Sequence, residues 1–113
     1  MKKFQLGEFE ELVLLTVGIL YQEAYGLAIK SEMEERLKRG VSVGALQAAL
    51  RRLETKGFLK SSEEQGNQER AGRPKRFYQL TAHGKDALAY TKTTRENLWQ
   101  AIPDVVWNLK TAL

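Results

Sequence analysis

Between Ser42 and Gly57 the chain spells out a bounded helix. Leu46, Ala49, Leu50 and Leu53 recur at i, i+3, i+4 and i+7, a single apolar stripe. The hydroxyl of Ser42 is placed to cap its start, and Gly57 supplies its stop. The other side carries Gln47, Ala48, Arg51, Arg52 and Thr55. Such a helix must lay one face on a core and offer the opposite face to solvent or to a partner. Immediately afterwards the period changes. Phe58–Glu63 and Lys75–Leu80 are short segments with aromatic and aliphatic residues, and they flank a stretch containing Gly66, Asn67, Gly72 and Pro74. That combination predicts a two-stranded hairpin with a long tip.

Two helices are expected upstream. Gly7 to Tyr21 carries Phe9, Leu12, Val13, Leu15, Thr16, Ile19 and Leu20 at helical spacing. A second, amphipathic segment places Leu27, Ile29, Met33 and Leu37 among charged residues, and Gly40 is the expected stop. Downstream, Thr81 is positioned to cap a final helical segment bearing Leu88, Leu98, Ile102, Val105, Val106, Leu109 and Leu113. Pro103 must kink it or divide it, and a second helix is then expected to carry Pro103 in its first turn. The expected fold is mainly α with a small β-hairpin. It is a winged helix-turn-helix over residues 1–80, continued by a C-terminal helical dimerisation segment over residues 81–113 as one compact unit.

Charge distribution says more than the net value of +4. Residues 1–40 carry six Lys/Arg and seven Asp/Glu, residues 41–80 eight and four, and residues 81–113 four and three. The positive excess therefore lies in the middle, on the third helix and the hairpin, as on phosphate-binding surfaces. Arg70-Ala71-Gly72-Arg73-Pro74-Lys75-Arg76 holds four cations and no acid. The absence of cysteine excludes disulfides, thiolate metal sites and cysteine nucleophiles. The run Leu12–Leu20 is far short of the ~20 residues that cross a bilayer, and no apolar stretch follows the N-terminal lysines as a signal peptide requires. A cytoplasmic location without membrane contact is expected. His83 is the sole histidine, Asp86 and Asp104 are the only aspartates, and no metal-ligand spacing, phosphate loop or nucleophile elbow occurs. Neither an enzyme nor a cofactor or metal site is expected.

The pattern fits double-stranded DNA as the partner. A helix fits the major groove and a basic hairpin can follow the neighbouring backbone or minor groove. Gln47, Arg51 and Arg52 are the expected readers; Ser42, with the amides near Val43 and Gly44, is placed to meet a phosphate at the helix N-terminus. Arg70, Arg73, Lys75 and Arg76 are the expected wing contacts. Leu98, Ile102, Val105, Val106, Leu109 and Leu113 form a stripe with little chain left to cover it, which predicts a homodimer. Trp99, with Ile102 beside it, is expected first of all to fill the dimer core. The alternative use of such a module is protein or RNA contact without operator recognition.

The segments Leu6-Gly7-Glu8-Phe9-Glu10-Glu11-Leu12-Val13-Leu14, Glu23-Ala24-Tyr25-Gly26, Ser42-Val43-Gly44-Ala45-Leu46, Arg52-Leu53-Glu54-Thr55-Lys56-Gly57, Gly72-Arg73-Pro74-Lys75-Arg76-Phe77-Tyr78 and Leu80-Thr81 together resemble the PadR family. The resemblance covers roughly residues 6–90. It implies a bacterial or archaeal repressor-like winged-helix protein that dimerises through its C-terminal helix and binds an inverted-repeat operator. From some members of the family it also implies that a small planar aromatic effector could lie at the dimer interface, with Trp99 and Ile102 the candidate residues here. One position departs: Gln47 stands where the family usually has tyrosine in the third helix.

Overall fold

A computed structural model describes residues 3–64 and 75–110. Three helices come first: α1 (Glu8–Leu20), continued by a 3-10 turn over Tyr21–Glu23, then α2 (Gly26–Leu37) and α3 (Val43–Thr55). The strands β1 (Leu59–Glu63) and β2 (Arg76–Leu80) follow, then α4 (Ala82–Ala101) and the short α5 (Asp104–Trp107). The periodicity of the sequence becomes one core. Val13, Leu14 and Val17 of α1, Ile29 and Met33 of α2, and Leu46, Ala49, Leu50 and Leu53 of α3 are all buried together. Phe58, Leu59, Tyr78 and Ala87 close it from the hairpin and α4.

Local chemistry sets the ends of the elements. Ser42 Oγ accepts from the Ala45 amide at 3.2 Å, so α3 starts where a capping hydroxyl was expected. It ends at Gly57, whose φ of 81° lies in the region that glycine enters without strain. Thr81 caps α4 by accepting from the Gly84 amide at 3.0 Å, and its hydroxyl donates to the Gly57 carbonyl at 2.6 Å. One threonine thereby ties the start of α4 to the end of α3. The approach is close: a Cβ on Gly84 would stand 2.1 Å from the Phe58 carbonyl oxygen, so only glycine fits there.

Two ends differ from expectation. The second helix stops at Lys38, itself left-handed (φ 58°, ψ 40°), and not at Gly40. Glu34 explains it. Its carboxylate accepts from Lys30 Nζ at 3.0 Å and from the Val41 amide at 2.9 Å, and so draws the chain back across the helix end. Pro103 does divide the last helical segment, but it is the residue before α5 and not its first turn. Proline forces the preceding residue out of the α region, and Ile102 accordingly sits at φ −70°, ψ 123°.

β1 and β2 pair antiparallel with Leu59 opposite Leu80 and Glu63 opposite Arg76. The hairpin base is stitched to the connection between α1 and α2, because the Tyr78 amide donates to the Ala24 carbonyl at 2.8 Å and Tyr25 forms a bridge with Phe77.

Glu10 is the unusual core-side group, a carboxylate only 5% exposed on the first turn of α1. Oε1 accepts from the Gly7 amide at 2.8 Å and from Lys56 Nζ at 2.7 Å. Oε2 accepts from Arg52 Nε at 2.7 Å. Lys56 also donates to the Gln5 carbonyl at 3.1 Å, so the N-terminal segment, α1 and the end of α3 share one polar knot. Burial pushes the Glu10 carboxyl up, but the bonds from Lys56, the Gly7 amide and Arg52 outweigh it and hold it at about 2, below the ordinary 4.5. A folded-state value below the unfolded one gives stability that is complete above pH 4.5 and lost as pH falls toward 2. The contribution is of the order of 3 kcal/mol. Urea unfolding followed from about pH 6 to about pH 2 is expected to show this loss, and the Glu10→Gln variant is expected to start less stable and to lack that part of the acid dependence.

Candidate nucleic-acid interface

Burial of the Leu46, Ala49, Leu50 and Leu53 stripe leaves one side of α3 to the outside. At ~100° per residue, Gly44, Gln47, Ala48, Arg51 and Thr55 fall within about 100° of one another on that side. Ser42, Val43, Gly44, Arg51 and Thr55 are exposed, and Gln47 and Ala48 are half-buried. Arg51 forms no ion pair with another described residue, so its fork of donors is open to a partner. Gln47 leans toward the start of α2: a Cβ on Gly26 would lie 3.5 Å from its Nε2. The Ser42 hydroxyl is committed to the Ala45 amide, which leaves the Val43 and Gly44 end of the helix uncovered.

Arg52 lies off the side of α3 that carries Gln47 and Arg51. It lies about 140° round the helix from Gln47, on the flank toward α1, with its Nε bound to Glu10. Ala48, Arg51, Arg52, Thr55 and Lys56 together line a shallow concavity of about 530 Å³ on this side of the helix.

The wing cations divide. Arg70 and Arg73 lie outside the described residues. Lys75 and Arg76 are described, and both are turned onto their own fold at the end of the paired strands next to the tip. The Lys75 ammonium sits 4.1 Å over the Tyr25 ring, and Arg76 donates to Ser61 Oγ at 2.9 Å and to Glu63 at 3.3 Å. Ser61 in turn donates to Glu54 of α3 at 2.6 Å, so this chain links hairpin and helix. Tyr25 and Phe77, with ring centroids 5.5 Å apart, complete the anchor.

Leu98, Trp99, Val105, Trp107 and Leu109 are exposed on α4, α5 and the residues that follow; Ile102 is half-buried, and Leu113 lies outside the described residues. The break at Ile102–Pro103 brings Trp107 back over Trp99, with centroids 5.6 Å apart and planes 2° from parallel. On an unbroken helix the two rings would sit about 80° apart and could not stack. Beside Trp99, a groove of about 460 Å³ between α1 and α4 is floored by Leu15, Leu88 and Ala89, and Arg95 is held at its edge by Glu11 at 2.8 Å. Sequence reasoning did not find Glu10, Lys56 and Tyr25. A glutamate three residues into a helix is a capping signal for Glu10, but nothing local points to partners 42 and 46 residues away.

No group of His, Cys, Asp or Glu able to hold a metal ion occurs among the described residues. None of their helices is long and apolar enough to cross a membrane. Comparison with known proteins gives a consistent picture. Residues 14–90 match the transcriptional regulator PadR-like family. No curated protein shows significant sequence similarity to the chain. Among solved structures, RosR of H. salinarum is 30% identical, with 88% of this chain and 83% of RosR covered and a TM-score of 0.68. A PadR-like transcription factor from B. fragilis is 25% identical, covering 81% of this chain and 84% of its own, with a TM-score of 0.68. A PadR family transcription regulator from Clostridium difficile R20291 is 27% identical over 84% of this chain and 97% of its own, with a TM-score of 0.61. The family match spans more than half of the sequence and runs from α1 through the third helix and the hairpin into α4, so the chain belongs to the transcriptional regulator PadR-like family.

Proposed function

We propose that the chain is a DNA-binding transcriptional repressor that recognises an inverted-repeat operator as a homodimer. The observation that carries this reading is the outer side of α3, where Gly44, Gln47 and Arg51 stand together on a helix rigidly held by its buried stripe. Arginine matches guanine bidentately and glutamine matches adenine, so this face has the donors and acceptors that base edges require. With glutamine at position 47, an amide replaces the ring and hydroxyl of the family's usual tyrosine, and the preference at that contact shifts toward adenine. Arg70 and Arg73 are assigned to the backbone beside the hairpin.

The homodimer is supported by the apolar side chains of the C-terminal helices. Leu98 is 66% and Val105 65% exposed, and Leu15 and Ile19 of α1 are open as well. A surface of this extent is seldom left wet on a soluble chain. A two-fold axis through α4 would present two α3 helices to major grooves about 34 Å apart or a multiple of it. The Trp99 ring beside its apolar groove is the assigned place for a planar aromatic effector, which regulates only if it binds one spacing of the two α3 helices better than another.

Three outcomes are expected. In quantitative binding to intergenic DNA next to the gene, Arg51→Ala and Gln47→Ala alter the ranking of operator variants, with Arg51→Ala costing about 1–3 kcal/mol on the preferred sequence. An unchanged ranking with both variants removes α3 as the reader. In sedimentation the chain runs as a dimer at micromolar concentration and Leu98→Asp shifts it toward monomer; a wild-type monomer contradicts the homodimer. Planar aromatic compounds quench tryptophan fluorescence and change DNA affinity together, whereas quenching without a change in affinity leaves a pocket and no switch.

A further inference from the structure

We propose that Glu10 is a positioning residue for DNA-backbone recognition, holding Arg52 so that the free edge of its guanidinium meets a phosphate on the flank of α3. The inference rests on the DNA-binding reading above, and it gives the second arginine of the helix a role different from that of Arg51.

The geometry divides the guanidinium in two. Nε is spent on Glu10 Oε2 at 2.7 Å, while the side chain as a whole remains 52% exposed. A guanidinium is planar and carries five donors, so fixing its Nε side leaves the pair of terminal nitrogens directed away from the carboxylate. Two terminal N–H groups in a plane suit two oxygens of one phosphate. Arg52 lines a concavity together with Ala48, Arg51, Thr55 and Lys56, which offers three cations and a hydroxyl. No acid is among its lining residues, and Glu10, which binds Arg52 and Lys56, is buried with both oxygens already bonded. Charge complementarity therefore selects an anion, and the flank of a helix seated in a major groove faces the phosphodiester backbone.

Glu10 itself is well held. The Gly7 amide and Lys56 fix Oε1, and Lys56 is in turn fixed by the Gln5 carbonyl at 3.1 Å. An exposed arginine loses rotamer freedom when it binds, and one already held in position loses less. Glu10 is thus a negative charge that favours the binding of a polyanion, which sets two physical effects in opposition. By charge alone, removing Glu10 strengthens DNA binding; by positioning, it weakens it.

The test uses the full chain and a mixed-sequence duplex without an operator, because backbone contacts are independent of sequence. Affinity is measured across a salt series for the wild type, Glu10→Gln, Arg52→Ala, Arg52→Lys and the double variant Glu10→Gln/Arg52→Ala, with thermal unfolding run in parallel. Glu10→Gln is expected to weaken binding about three- to tenfold although it removes a negative charge. Arg52→Ala is expected to weaken it about tenfold and to lower the salt slope by about one. Arg52→Lys keeps the charge and the slope but not the fork, and loses affinity. In the Arg52→Ala background only the charge effect remains, so Glu10→Gln is expected to leave affinity no weaker or to raise it slightly while still lowering the melting temperature, which separates positioning from stability. Equal or tighter binding by Glu10→Gln overturns the proposal, and so does an equal loss from Glu10→Gln with and without Arg52. If Glu10→Gln does not fold, wild-type affinity in Arg52→Lys overturns it. Wild-type protein that binds no duplex at low salt instead overturns the DNA-binding reading and this inference with it.

Discussion

A buried carboxylate is tolerable only when its oxygens are fully bonded, and Glu10 meets that condition with three partners drawn from two places in the chain. The Gly7 amide comes from the helix's own start, while Arg52 and Lys56 come from the far end of α3. The core stripe Leu46, Ala49, Leu50 and Leu53 fixes which side of α3 is buried. Hydrophobic contact alone is non-directional and leaves rotation and sliding less well defined. The Glu10 knot adds a directional restraint at the helix flank, so the register of the outward side chains follows from a polar contact as well as from packing.

The rest of the interface inherits this frame. Gly57 and Thr81 join the end of α3 to the start of α4, and the glycine at position 84 lets that helix touch the Phe58 carbonyl. Through Ser61, Glu54 and Arg76 the paired strands are tied to α3 as well. Tyr25 holds them from the other side with Phe77 and Lys75. The outward face of α3 and the base of the wing are therefore parts of one rigid arrangement, and binding through them does not require each side chain to be ordered separately.

Much of this was legible in the sequence because it is local. The apolar stripe on α3, the Ser42 and Thr81 caps, the Gly57 stop and the two strands each follow from neighbours a few residues apart. Pro103 announced a break, and the sterics of the residue before proline placed it. What escaped is long-range or competitive. Gly40 looked like a stop, but Glu34 reaching across to the Val41 amide ends the helix earlier at a left-handed lysine. Arg52 looked like a reader because its type is right, and only the fold shows Glu10 claiming its Nε. Lys75 and Arg76 belonged to a basic run in the sequence, whereas in space an aromatic ring and a carboxylate hold them against their own fold. The stacking of Trp107 on Trp99 depended on how far the break at Pro103 turns the chain, which no periodicity encodes.

We propose that the outer side of α3 is where this regulator meets DNA. Backbone and side-chain NMR resonances recorded while a duplex of intergenic sequence is added test it most directly. The account predicts that Val43, Gly44, Gln47 and the Arg51 and Arg52 guanidinium groups shift first and furthest, while Glu32 and Glu35 on the outside of α2 remain in place. Perturbation confined to α4 and α5, or spread over the surface with α3 unaffected, would contradict it.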